Sequence, residues 1–231
     1  MLRAHPILWG VTTSEKGYTR WSFIMTPPHI ELGAPIEEAR AVLICLHGRG
    51  VDGSDLAPIG DELALPGWHV RLPNAPLPFP GGGLAWYAGD PGQEKGIRSA
   101  ARSIGEEVSR IESAGVSSRS VAILGFSQGA VVGLHAALRH PRRLGAVIAL
   151  SGYLYAPEKI SEEASEASRD LPIFIGHGTS DPLLPVDGAQ RAASLLEEQG
   201  YPIEYHEYPI GHSISVEELA DIAEFLSKAM G

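Results

Sequence analysis

From residue 41 onward, short runs of apolar residues alternate with longer segments in which apolar residues return every third or fourth position. The first pattern fits buried strands and the second amphipathic helices, and their alternation is that of βα units building a mostly parallel sheet. It predicts strands at 41–46, 69–72, 120–124, 145–150, 173–176 and 203–208. Helices are predicted at 54–63, 95–114, 127–139, 186–199 and 216–230. Several ends carry their own signals: Gly115 and Gly200 suit helix C-termini, Pro141 follows another, and Ser215 precedes Glu217 and Glu218 as an N-cap. Before residue 41, segments 7–12 and 18–25 flank a polar turn at Gly17 and predict an antiparallel hairpin on the sheet edge.

No repeat, low-complexity segment or linker divides the chain, so residues 1–231 read as one α/β domain with helices on both faces of the sheet. One stretch breaks the pattern. Pro73-Asn74-Ala75-Pro76-Leu77-Pro78-Phe79-Pro80-Gly81-Gly82-Gly83 suits neither a helix nor a central strand. A loop of this length in a compact domain is usually functional, which predicts a flexible cover, residues 73–94, at the rim of a binding site.

Composition narrows the function. Lys and Arg number 18 against 28 Asp and Glu, for a formal charge of −10, and no basic cluster offsets it. That balance argues against nucleic acid and against electrostatic docking on anionic lipid, and is what keeps a globular protein soluble. No run of 18 apolar residues predicts a membrane span, and the N-terminal segment lacks a signal-peptide core, which reads as a cytoplasmic protein. A homodimer is compatible with the same composition. Cys45, the single cysteine, lies within the apolar run 41–46 and is expected to be a small buried hydrophobe.

Candidate chemistry starts at Gly125-Phe126-Ser127-Gln128-Gly129. With 27 glycines and 20 serines in the chain, a G-x-S-x-G match arises by chance roughly 0.3 times, so the motif needs context. The context is a predicted buried strand before it and a predicted helix after it, which puts Ser127 on a strand-to-helix turn. In so tight a turn the glycines have a physical reason: strand and helix come too close for side chains at 125 and 129. A serine hydroxyl also needs a base, and that base needs an orienting group, both on loops at the carboxyl ends of strands. His212 lies in the loop after the last strand, whereas His206 is pinned within it. Asp181 lies just past the strand at 173–176, whereas Asp170 lies at a strand's entry and Asp187 opens a helix. Ser127, Asp181 and His212 thus form the expected catalytic set, in the chain order of α/β-hydrolases. The backbone amides of Gln128 and Arg49, the latter in Leu46-His47-Gly48-Arg49-Gly50, are the expected oxyanion donors.

These pieces, LHGRG at 46–50, PNAP at 73–76 with Trp86-Tyr87, GFSQG at 125–129, HGTSDPLLP at 177–185 and GHSIS at 211–215, span nearly the whole chain. Together and in this order they resemble the small phospholipase/carboxylesterase branch of the α/β-hydrolases, which includes acyl-protein thioesterases. The resemblance implies a serine hydrolase of carboxylic esters that works without cofactor or metal on a small or lipid-like acyl ester. It implies as alternatives an acyl-protein thioesterase or, further off, a lactonase or peptidase on the same residues. It also implies an acyl pocket near Trp86, with Tyr87 and Leu183 as further substrate contacts. Two positions depart from the family pattern: Arg49 stands where an apolar residue is usual in the thioesterases, and Ala130 follows GFSQG in place of another glycine. Only about twenty residues separate 150 from 173, where relatives with large lids insert them, too few for a cap domain. An open site is the expectation.

Overall fold

The computed structural model describes residues 11–13, 19–21, 29–63 and 65–231. In chain order the strands are β1 (Val11–Thr13), β2 (Thr19–Trp21), β3 (His29–Gly33), β4 (Ala41–Leu46), β5 (Trp68–Pro73), β6 (Leu77–Pro78), β7 (Leu84–Ala85), β8 (Val121–Phe126), β9 (Ala146–Leu150), β10 (Ile173–Gly178) and β11 (Ile203–Tyr208). The helices are α1 (Ala57–Glu62), α2 (Gln93–Ser113), α3 (Gln128–Arg139), α4 (Ile160–Glu163), α5 (Asp187–Glu198) and α6 (Val216–Met230). Seven strands form one sheet in the order β11-β10-β9-β8-β4-β5-β3, parallel throughout except for β3, which runs antiparallel along β5.

All six residues of β4 are buried, and the side-chain period of two sorts them between faces. Val42, Ile44 and Leu46 join a core with α2, α3 and α5, while Ala41, Leu43 and Cys45 join a second core with α1 and α6. A strand apolar on both sides is therefore covered on both sides, as a parallel sheet requires. Cys45 is fully buried, and burial pushes its thiol up to about 12, which leaves it a packing residue.

The N-terminal hairpin is present only in part. β1 and β2 pair antiparallel in a separate two-stranded sheet, and the rest of the predicted segments 7–12 and 18–25 lies outside the described residues. The strand on the edge of the main sheet is instead β3. Its sequence HIELG carries a glutamate mid-strand, and Glu31 sits 2.5 Å from the Arg71 guanidinium of β5, a pairing that no local pattern announces. The helix expected over 54–63 splits into a 3₁₀ turn at Gly53–Leu56 capped by Asp52, followed by α1.

The predicted flexible loop is a bonded structure. Within 73–94, β6 and β7 make a hairpin, Gly50 N–H donates to Leu84 O at 2.8 Å, and Leu84 N–H donates back to Val51 O at 2.8 Å. Asn74 Oδ1 accepts from Gly53 N–H at 2.8 Å. The segment between 150 and 173 holds only two 3₁₀ turns and the four-residue α4.

This topology fixes where a site must lie. The chain leaves β4 towards β5 on one side, while β8 stands on the other, so strand order reverses between β4 and β8. Loops leaving the carboxyl ends of strands on either side of such a reversal diverge and open a crevice. The loop at 47–50 and the turn at Ser127 flank it.

At the N-terminus of α6 the sequence signal for a cap is met in full. Ser215 Oγ accepts from Glu218 N–H at 3.1 Å, and the buried Glu218 carboxylate packs under Gly176 of β10. Burial raises Glu218 from an ordinary 4.5 to about 7, partly countered by the Ser215 amide and reinforced by Asp221. A carboxyl whose folded value is raised contributes stability below the unfolded value that is lost as pH rises through about 7. In urea denaturation, Glu218→Gln is expected to gain about 1–3 kcal/mol over the wild type at pH 8 and little at pH 4.5. A difference that does not change with pH would contradict this assignment.

Candidate active site

Strand β8 ends at Phe126, and the chain turns into α3 with Ser127 at φ 55°, ψ −116°. A non-glycine residue in that region is strained, and such strain persists only where the surroundings over-determine it. They do so here. Ser127 N–H donates to Leu150 O of β9 at 2.8 Å, while the helix enters so close to β4 that a Cβ at Gly129 would lie 2.0 Å from Leu46 O. A Cβ at Gly125 would likewise lie 2.3 Å from Gly129 O. Both glycines are thus required by close approach, as the motif's context suggested. The hydroxyl of Ser127 is not spent on capping its own helix.

The expected partners converge on it. Ser127 Oγ lies 2.9 Å from His212 Nε2, and His212 Nδ1 lies 2.6 Å from Asp181 Oδ2. The carboxylate accepts at Nδ1, which assigns the proton there and leaves the Nε2 lone pair facing the serine. Asp181 is held in turn: its Oδ1 accepts from Leu183 N–H at 2.8 Å and Leu184 N–H at 2.9 Å. Burial alone would raise the Asp181 carboxyl, but these amides and His212 outweigh it and keep its value below the ordinary one. A buried charge with three donors is a stable anchor for an imidazole.

Two loops must stay in register for this geometry, and the backbone supplies the means. Thr179 N–H donates to Tyr208 O at 2.8 Å and Ser180 N–H to Ile210 O at 3.0 Å. Gly178 lets them touch, since a Cβ there would lie 2.3 Å from Gly211 O. His177 Nε2–H donates to Leu184 O at 2.9 Å and buttresses the turn that carries Asp181. The His212 ring leans on Phe126, with centroids 4.8 Å apart. The histidine passed over in the sequence, His206, stacks on Phe174 within the sheet, and Asp187 pairs with Arg191 at the start of α5.

Beside the serine, the amides of Gln128 and Arg49 donate to no protein acceptor among the described residues. The loop that carries Arg49 is fixed by His47, which is fully buried. Its Nε2 accepts from Ala75 N–H at 3.0 Å, so the proton sits on Nδ1, 2.7 Å from Gly48 O. Burial lowers the His47 value, against smaller opposing effects of the Gly48 carbonyl, Asp52 and Asp55, which keeps this neutral tautomer.

The substrate contacts implied by resemblance fall in different places. Trp86 is 3% exposed, and its indole N–H donates to His47 O at 2.8 Å, so its polar atom braces the loop at 47–50. Tyr87 is buried beside Tyr153, hydroxyl to hydroxyl at 3.4 Å, whereas the Leu183 side chain is 68% exposed beside Asp181. One role was invisible in the sequence. The Gln128 side chain takes up the backbone of the 73–94 segment, its Oε1 accepting from Trp86 N–H at 2.7 Å and its Nε2–H donating to Tyr87 O at 2.7 Å. The residue that follows the serine therefore ties the elbow to the far wall of the crevice. Among the described residues no group of three or more His, Cys, Asp or Glu side chains is placed to hold a metal ion, and no helix is long and apolar enough to cross a membrane.

Known proteins share both sequence and shape with this chain. The family model described as phospholipase/carboxylesterase matches residues 28–230. Acyl-protein thioesterase 1 of Saccharomyces cerevisiae is 30% identical over 223 residues, 87% of this chain and 98% of that protein. Carboxylesterase SOBER1 of Arabidopsis thaliana is 28% identical over 209 residues, 83% of this chain and 92% of its own length. The crystal structure of esterase PE8 superposes with a TM-score of 0.80 at 29% identity, covering 86% of this chain and 97% of that one. With the match running from the edge strand β3 to the last turn of α6, the chain belongs to the phospholipase/carboxylesterase family of α/β-hydrolases.

Proposed function

We propose that the protein is a serine hydrolase that cleaves carboxylic esters through an acyl-enzyme on Ser127. The observation that carries this reading is the unbroken chain from Asp181 through His212 to the hydroxyl of a strained serine, at 2.6 and 2.9 Å. Ser127 Oγ attacks the acyl carbonyl carbon as its proton passes to His212 Nε2. Asp181 stabilises the imidazolium that forms, and the amides of Gln128 and Arg49 face the oxygen that becomes an oxyanion. His212 then gives the proton to the leaving alkoxide, the C–O bond breaks, and a water activated by the same nitrogen releases the acid. Hydrolysis of thioesters is the second reading, supported by the likeness to the yeast acyl-protein thioesterase. Lactones and amides stand further off.

Ser127→Ala is expected to lower kcat/KM on p-nitrophenyl butyrate by at least about 10⁴-fold without changing the thermal midpoint by more than a few degrees. Retention of activity would refute the assignment of the nucleophile. Rates on matched butyryl ester, thioester and anilide substrates rank the bond types, with the ester or thioester expected ahead of the amide.

The side chain of Gln128 has a separate consequence. In Gln128→Glu the donor to Tyr87 O becomes an acceptor, leaving two buried oxygens opposed, at a cost of roughly 1–3 kcal/mol. The expected result is about a 10- to 100-fold loss of kcat/KM, because the same residue's amide loses its alignment. Wild-type turnover by this variant would show that the clamp does not position the amide.

A further inference from the structure

The Arg49 side chain has no part in the chemistry above, yet the backbone that carries it runs beside the nucleophile. Gly48, the residue before it, is near enough to the nucleophile that a Cβ there would lie 3.6 Å from Ser127 Cβ. The chain carries ten more acidic than basic residues, and Arg71, Arg98, Arg110, Arg139 and Arg142 each pair with a glutamate. Arg49 makes no ion pair or hydrogen bond among the described residues. What positions it is an aromatic ring: its Cζ lies 5.4 Å from the centroid of Phe79. Phe79 belongs to the β6–β7 hairpin, and its N–H donates to Gly83 O at 3.0 Å while its carbonyl accepts from Gly82 N–H at 2.9 Å.

That arrangement has a chemical meaning. Stacking on a ring uses the face of a guanidinium, whereas its N–H groups point outward in the plane and match the paired oxygens of an anion. A charge held over the Phe79 ring is thus positioned without consuming its N–H donors. Its charge also acts inward: the Tyr87 phenol, raised by burial and by Tyr153, is drawn back down by Arg49. Next to Tyr87, the Tyr153 hydroxyl accepts from Gln93 Nε2–H at 2.8 Å.

We propose that the Arg49 guanidinium is a specificity-determining group that receives an anionic substituent, a carboxylate or a phosphate, carried by the ester substrate. This inference rests on the ester-hydrolase reading. It concerns the Arg49 side chain, whereas the oxyanion role concerns the amide of the same residue. An anionic ester would be held at its charged group while Ser127 meets its carbonyl, and a neutral ester would forgo only the first contact.

The test compares matched pairs. On the acyl side the pair is p-nitrophenyl hemiglutarate and its methyl ester. On the alcohol side p-butyryloxybenzoate and p-butyryloxyphenyl phosphate are each set against methyl p-butyryloxybenzoate, which also separates carboxylate from phosphate. The readout is the ratio of kcat/KM for the anionic to the neutral ester, so a general loss of activity in a variant cancels. In Arg49→Met the ratio is expected to fall about tenfold on at least one side, mostly through KM, and in Arg49→Glu further still. Arg49→Lys should keep part of it, and added salt should lower it in the wild type. A ratio equal in the wild type and Arg49→Met on both sides would overturn the proposal and leave the hydrolase reading intact. A wild-type chain inert towards all the esters would overturn the hydrolase reading and this proposal with it.

Discussion

The structure depends on one close approach: α3 enters the sheet with Gly129 against the Leu46 carbonyl, where no side chain fits. From that contact follow the strained elbow at Ser127 and the placement of the 47–50 loop beside it. The cost of a non-glycine residue at φ 55°, of order 1–3 kcal/mol, is met by a core that fixes both ends of the turn. β8 is hydrogen-bonded between β4 and β9, and α3 is buried from Gln128 to Leu138. A serine on a free loop would need no such scaffold. Here the rigidity of the sheet is transmitted directly to one hydroxyl.

The two sides of the crevice are then held by different means. On the histidine side, backbone bonds join the loops after β10 and β11, and a buried aspartate with two amide donors anchors the imidazole. On the other side, a buried neutral histidine and an indole N–H knit the loop after β4 to the long segment before α2, and the Gln128 side chain ties the elbow to the same segment. On the proposed mechanism, charge that develops on the substrate oxygen would meet dipoles already in place. The exposed side chain of Arg49 leaves the same loop and lies over Phe79.

Much of this was legible in the amino-acid sequence because it rests on local patterns. β4, β11 and α6 lie where periodicity and caps put them, and the rule that functional loops leave the carboxyl ends of strands separated His212 from His206 and Asp181 from Asp170 and Asp187, the two side chains that the structure brings to Ser127. β8 and β10 run two residues further than expected, since Gly125-Phe126 and His177-Gly178 look like turn chemistry yet continue the ladder. β3 was missed because its polar residue is satisfied by Arg71, a partner 40 positions away. The 73–94 segment read as flexible because its hydrogen bonds come from residues outside it, His47, Gly50, Gly53 and Gln128. The bond from the Trp86 indole N–H to the His47 carbonyl likewise spans 39 positions. Long-range side-chain to backbone bonds leave no periodic trace.

If fold geometry makes Ser127 a nucleophile through His212 and Asp181, reaction with a fluorophosphonate probe followed by peptide mass spectrometry will report it. The expected result is one adduct per chain, on the peptide containing Ser127, formed far more slowly in His212→Ala and in Asp181→Asn. Labelling at another residue, or labelling of Ser127 at an unchanged rate in both variants, would contradict it.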